Sequence, residues 1–180
     1  MLLNSKHSAL LMIDLQTRLL PAISDNDKLL ANNLWLAGLA HDLAIPTIIS
    51  EHCADKIGTT TEEIIATAPQ AKIVHKQTFS VFAADVLTPE VFNDANQIVI
   101  SGIEAHICVL QTAIDLRNNG YEVLIANDCV GSRRSKDMEL AIARLQAHGC
   151  EIISREMIAF EWLGTATHPQ FKEIHKKYIR

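Results

Sequence analysis

"NQIVISGIEAHICVLQTAIDLRNNG", Asn96 to Gly120, passes from a run of Ile and Val through a glycine into a helical pattern, and stops at a second glycine. A short apolar run without polar alternation reads as a strand buried on both faces of a parallel sheet. His106 to Asn119 repeats apolar residues at helical spacing, and Gly120 stands where a helix C-terminus favours one. Strand, turn and helix in this order form half of a β-α-β unit.

The same grammar repeats in both directions. "SALLMIDL" (8–15), "IPTIIS" (45–50), "AKIVH" (71–75), "YEVLIAND" (121–128) and "CEIIS" (150–154) are further Ile- and Val-rich runs. Helical patterns lie between them, at 26–43, 59–68 and 135–149, and two amphipathic segments, "EMIAFEWLG" and "HPQFKEIHKKYIR", close the chain. Thr59 to Thr61 before Glu62 and Glu63, and Ser135 before the 135–149 pattern, stand as helix-start caps. Alternating strands and helices predict right-handed crossovers and a three-layer α/β/α, doubly wound, mainly parallel six-stranded sheet of order 3-2-1-4-5-6. With no internal repeat and no linker, residues 1–180 read as a single domain.

Composition removes several function classes. Twenty-one acidic residues against 16 basic ones leave a net charge of −5, which argues against a nucleic-acid partner. No stretch approaches the roughly 18 apolar residues of a membrane span, and "MLLNSKHSALLMIDLQ" lacks the pattern of a signal peptide, so a cytoplasmic protein is expected. Cys53, Cys108, Cys129 and Cys150 are widely spaced, without a C-x-x-C pair; this predicts neither a disulfide framework nor a cysteine metal site. G-x-G-x-x-G and the phosphate-loop pattern are both missing, which sets aside a nucleotide-binding reading.

In an open α/β sheet the ligand crevice lies beyond the carboxyl ends of the strands, where their order reverses. Here that places the end of the first strand, with Asp14, beside the end of the fourth, with Glu104, His106 and Cys108. The third strand delivers His75 and Lys76. A carboxylate, an ammonium and a thiol then converge. A thiolate is the strong nucleophile of the set, favoured by a helix N-terminus and by Lys76. Asp14 is suited to take the thiol proton and return it to a leaving amine. Backbone N–H groups of the 103–108 turn are suited to an oxyanion. Each residue also has an ordinary structural reading: a strand-end turn for Asp14, a solvated cation for Lys76, helix packing for Cys108.

"IDLQ", "HKQTFS" and "GIEAHICVLQTAIDL", followed by "NDCVGSRRSKDMELAIARLQAHG" and the closing "HPQFKEIHKKYIR", together resemble the isochorismatase-like cysteine hydrolases. The subgroup they resemble most is that of isochorismatase domain-containing proteins. The resemblance covers nearly the whole chain. It implies a catalytic triad of Asp14, Lys76 and Cys108, a non-proline cis peptide at Ile103–Glu104, and an oxyanion hole built from the N–H groups of Glu104 and Cys108. It also implies a homo-oligomer, dimer or higher, acting on a small molecule. Nicotinamidases of the family hold a metal through a D-x-H pair after the second strand. This chain reads "SEHCADKIG" there, so no metal and no cofactor are expected.

Gln16, Phe79 and His106 stand beside the triad in sequence and are candidate substrate contacts. Glu51 and His52 read as a surface pair, the "GSRRS" loop (131–135) as solvated or at a subunit contact, Cys129 as buried, and Trp35 and Trp162 as core or interface. "GIEAH" replaces the family's common G-x-A-T, which brings the Glu104 carboxylate close to the site, either facing it or turned into a salt bridge. These observations lead to hydrolysis of a small carbon–nitrogen amide through a thioacyl-enzyme. Ester or thioester hydrolysis, and a catalytically degenerate binding or scaffold protein, remain as alternatives.

Overall fold

The computed structural model describes residues 1–180. Its elements run β1 (Ser8–Ile13), α1 (Asn26–Asp42), β2 (Thr47–His52), α2 (Ala54–Ile57), α3 (Glu62–Thr67) and β3 (Lys72–Lys76). They continue with β4 (Gln97–Ile103), α4 (Leu110–Asn118), β5 (Glu122–Gly131), α5 (Ser135–Ala147), β6 (Glu151–Ile153), α6 (Arg155–Leu163) and α7 (Phe171–Ile174). The strands hydrogen-bond in the order β3-β2-β1-β4-β5-β6, and every pair is parallel. This is the doubly wound sheet that the alternation predicts.

Apolar side chains alternate between two cores because successive residues of a strand face opposite sides. In β1, Leu10 and Met12 join one core with Leu36 and Leu39 of α1 and Ile158 and Trp162 of α6. Ala9, Leu11 and Ile13 join the other, with Ala113 and Leu116 of α4 and Ala141 and Leu145 of α5. Both faces of the strand are therefore dry, which is why its sequence shows no polar alternation.

Several boundaries differ from the sequence reading. β1 ends at Ile13, not Leu15, because Asp14 adopts the left-handed conformation (φ 54°) and the Gln16 N–H turns back to the Asp14 carbonyl at 2.7 Å. β5 runs on to Gly131 through a bulge: Ile100 faces Ile125, but Gly102 faces Val130. Asp128 in that bulge accepts the Arg155 N–H at 2.9 Å and so seats the start of α6. The expected threonine and serine caps do not form. Thr61 is the N-cap of α3, yet its hydroxyl is buried without a partner, and the N-cap of α5 is Arg134, with Ser135 already inside the helix. α6 does carry a side-chain cap, Ser154 Oγ accepting the Met157 N–H at 3.2 Å.

One glycine is indispensable to the site. Gly102 has φ 107°, and a Cβ there would run into the backbone carbonyl and nitrogen of Ile13 on β1. Its absence lets the ends of β1 and β4 close on each other just before both strands deliver their polar residues.

Candidate active site

Asp14 leaves β1 with its side chain fully buried, and each carboxylate oxygen has one donor. Ser50 Oγ of β2 donates to Oδ1 at 2.7 Å, and Lys76 Nζ, at the end of β3, donates to Oδ2 at 2.6 Å. Lys76 Nζ also lies 3.4 Å from Cys108 Sγ. The three residues that the switch-point argument selects thus meet around one ammonium. Lys76 is not the solvated cation of its ordinary reading; its side chain is entirely buried. A buried charge survives only when paired, and Asp14 is its pair.

Cys108 does not sit in the first turn of α4. It lies in a π-helical turn, Ala105–Val109, that joins β4 to α4 after the cis peptide Ile103–Glu104. The Glu104 carbonyl accepts from both Ile107 and Val109 N–H. The turn is tied to the loop after β3 through Thr112, whose hydroxyl donates to the Cys108 carbonyl at 2.7 Å and accepts the Val81 N–H at 2.9 Å.

The thiol's ionisation runs opposite to the helix-terminus expectation. Burial pushes Cys108 up to about 12, the Asp14 carboxylate adds to the rise, and the Lys76 ammonium opposes it without prevailing. The reason is desolvation: the residue is only 6% exposed, and an anion there would lose its hydration. The direction of the shift favours the protonated thiol in the folded state.

The neighbouring candidates fall into different places. Gln16 is fully buried and its amide is spent within the chain: Nε2 donates to the carbonyls of His52 (3.0 Å) and Gly58 (2.5 Å), and Oε1 accepts the His52 N–H at 2.8 Å. It clamps the end of β2. Phe79 is 53% exposed, and its ring lies 5.8 Å from that of His52. His106 is half-buried, with Nδ1 2.9 Å from Ser132 Oγ and Nε2 4.0 Å from Glu104 Oε2. Glu104 is buried and turned into a salt bridge, Arg133 Nη2 donating to its Oε1 at 2.9 Å. The "GSRRS" loop is therefore partly committed to the site's border.

Other readings need correction. Glu51 is not half of a surface pair; it is buried, accepting the Thr60 N–H at 2.8 Å and lying 3.5 Å from His75 Nδ1. His52, which pairs with Lys76 across the β2–β3 ladder, is held below its ordinary pKa by burial and then by that ammonium. Ser50 escaped the sequence reading altogether. No three His, Cys, Asp or Glu side chains converge as a metal-ligand set. A cavity of about 470 Å³ lies along the β3 edge, lined by Glu51, Cys53, His75, Gln77 and Thr78, and reaches neither Asp14 nor Cys108. A buried acid and an ammonium shared with a thiol can together move a proton off sulfur.

Comparison with known proteins agrees with this architecture. Residues 8–157 match the model of the isochorismatase domain. Isochorismatase domain-containing protein 2 of Danio rerio is 33% identical over 97% of this chain and 88% of its own length. Among solved structures, the MAR1 ribonuclease of Caenorhabditis elegans superposes with a TM-score of 0.91 at 30% identity, covering 98% of this chain and 91% of that one. The YcaC gene product of Escherichia coli, described as an octameric hydrolase of unknown specificity, gives 0.87 at 22% identity over 99% and 91% of the two chains. Nicotinamidase PncA of Bacillus subtilis gives 0.69 at 15% over 82% and 99%. The last two share the fold alone. A family match over most of the chain, a one-third-identical relative of nearly equal extent, and the sheet order together establish that this chain belongs to the isochorismatase family of hydrolases.

Proposed function

We propose that the protein hydrolyses a carbon–nitrogen amide bond of a small molecule through a thioacyl-enzyme, with Asp14, Lys76 and Cys108 as its catalytic residues. The observation that carries this reading is the single buried ammonium 2.6 Å from a carboxylate and 3.4 Å from a thiol. Asp14 takes the Cys108 proton as sulfur attacks the carbonyl, so the anion exists only during attack. A thiol of high pKa is the more nucleophilic once ionised. Lys76 holds both negative charges, and the N–H groups of Glu104 and Cys108 receive the oxyanion. Donors so placed contribute about 3–4 kcal/mol each in hydrolases. The amine departs with the proton held by Asp14. Water, deprotonated by the same carboxylate, releases the acid and restores the thiol. Phe79 and His106 border the substrate, whereas Gln16 shapes the site from behind.

Asp14, placed to return a proton to a leaving amine, supports amide chemistry over ester or thioester hydrolysis, whose leaving groups need that proton less. The C. elegans structure is described as a ribonuclease, but the net charge of −5 here favours a small substrate over a polyanion. The same reading takes residues 1–180 as one cytoplasmic domain that assembles as a homo-oligomer, as octameric YcaC does.

Iodoacetamide labelling with peptide mapping between pH 5 and 9 tests the activated thiol. Cys108 is expected to label faster than buried Cys129 and Cys150, and Asp14→Asn is expected to remove that advantage. Equal rates at the three thiols, or amide hydrolysis surviving in Cys108→Ala, would overturn the reading. An inert Cys108 would favour the degenerate scaffold.

A further inference from the structure

β2 buries two hydroxyls, and that of Thr47 is spent on the Ile45 carbonyl at 3.1 Å. Ser50 interrupts "TIISEH" between Ile49 and Glu51 and is 0% exposed. A buried hydroxyl is costly unless bonded, and this one is bonded only to the site. Its Oγ donates to Asp14 Oδ1 at 2.7 Å, while its carbonyl accepts the Asp14 N–H at 3.1 Å. The residue therefore grips Asp14 twice, once by backbone and once by side chain. Ser101 of β4 offers an internal contrast: it is equally buried, yet its hydroxyl has no partner.

The consequence lies in how the carboxylate is oriented. With Oδ1 occupied by Ser50, the oxygen left for Lys76 and for the thiol proton is Oδ2. Without the Ser50 hydroxyl, Oδ1 would be a buried acceptor with no donor, and the nearest cation is the Lys76 ammonium. The carboxylate would then turn to share both oxygens with Lys76 and withdraw from the sulfur. We propose that Ser50 is a positioning residue that holds Asp14 with Oδ2 toward Lys76 and Cys108, acting on the chemistry only through Asp14. The inference rests on the proposed role of Asp14 as the base.

The experiment reads the iodoacetamide labelling rate of Cys108 at pH 7, with melting curves to verify folding. Ser50→Ala is expected to slow labelling on the order of tenfold, the scale of one hydrogen bond to a charged group. Ser50→Thr, which keeps the donor, is expected to restore it, and Ser50→Val, the same shape without the donor, to remain slow. This pair carries the test if Ser50→Ala does not fold. Ser101→Ala is expected to match the unmodified protein. In an Asp14→Asn background, adding Ser50→Ala is expected to change nothing further. Labelling of Ser50→Val at the rate of Ser50→Thr, or a full extra loss in the Asp14→Asn background, would overturn the role of Ser50 while leaving Asp14 as base. Labelling unaffected by Asp14→Asn would overturn both.

Discussion

Lys76 shows what a strand-end residue can become when its neighbours are dry. Sequence position alone brings Asp14, Lys76 and Cys108 to one rim, because a parallel sheet of this order presents those strand ends together. It does not reveal that all three are sealed from water, which depends on how the loops after β3 and β4 pack. Hence the surface reading of Glu51 and the expectation that a helix terminus and Lys76 favour the Cys108 thiolate both missed for one reason, underestimated burial. Ser50 was illegible because a lone serine in an apolar run has no pattern to announce it. The Lys76–Asp14 pair yields a direct prediction. Lys76→Ala leaves a fully buried carboxylate with only a serine donor, so urea unfolding is expected to show a loss of about 3–5 kcal/mol. A loss within about 0.5 kcal/mol, the scale of an ordinary surface change, would show that the pair is not buried in solution.

At the scale of elements, the strand–turn–helix unit from β4 to α4 was readable as an outline and opaque in its joint. Ile and Val runs and the glycine stop place both elements. The π-helical turn between them has no signature of its own, since Ala105–Val109 suits an α-helix equally well. The bulge in β5 was hidden for a related reason: "ANDCVG" still alternates enough to pass for strand or loop. Caps misled because threonine and serine prefer helix starts only on average: the Thr61 N-cap of α3 makes no side-chain bond, and α5 starts from Arg134. Gly102, in contrast, has a checkable necessity. Gly102→Ala is expected to destabilise by about 3 kcal/mol or more, from an unfavourable φ and a collision with the Ile13 backbone. Urea unfolding measures the first effect and Cys108 labelling the misplacement of the turn. An alanine variant of unchanged stability would mean that β1 and β4 do not approach so closely.

Across the whole molecule, the two cores and the strand order followed from alternation and apolar runs because those features report burial summed over many residues. The thiols give the same burial a pH signature. Cys108 is pushed up to about 12 and Cys150 to about 11 by burial, and Cys129 is raised as well. The folded state keeps these protons where the unfolded chain, with thiols near 8.5, has released them. Fewer protons on the unfolded chain mean stability that falls as pH rises. Melting temperature is expected to drop between pH 9 and 11, and Cys129→Ala, which removes one buried thiol, to drop less over the same interval. Parallel curves would contradict the assignment. The bond that anchors the turn of Cys108 uses its carbonyl and not its sulfur, with Thr112 as donor. A codon for cysteine becomes one for serine by a single base change, and a serine here keeps that carbonyl and offers Lys76 an oxygen in place of sulfur. Under the proposed chemistry, a descendant gene lies one mutation from a silent protein of the same shape, free to be kept for whatever its surface binds.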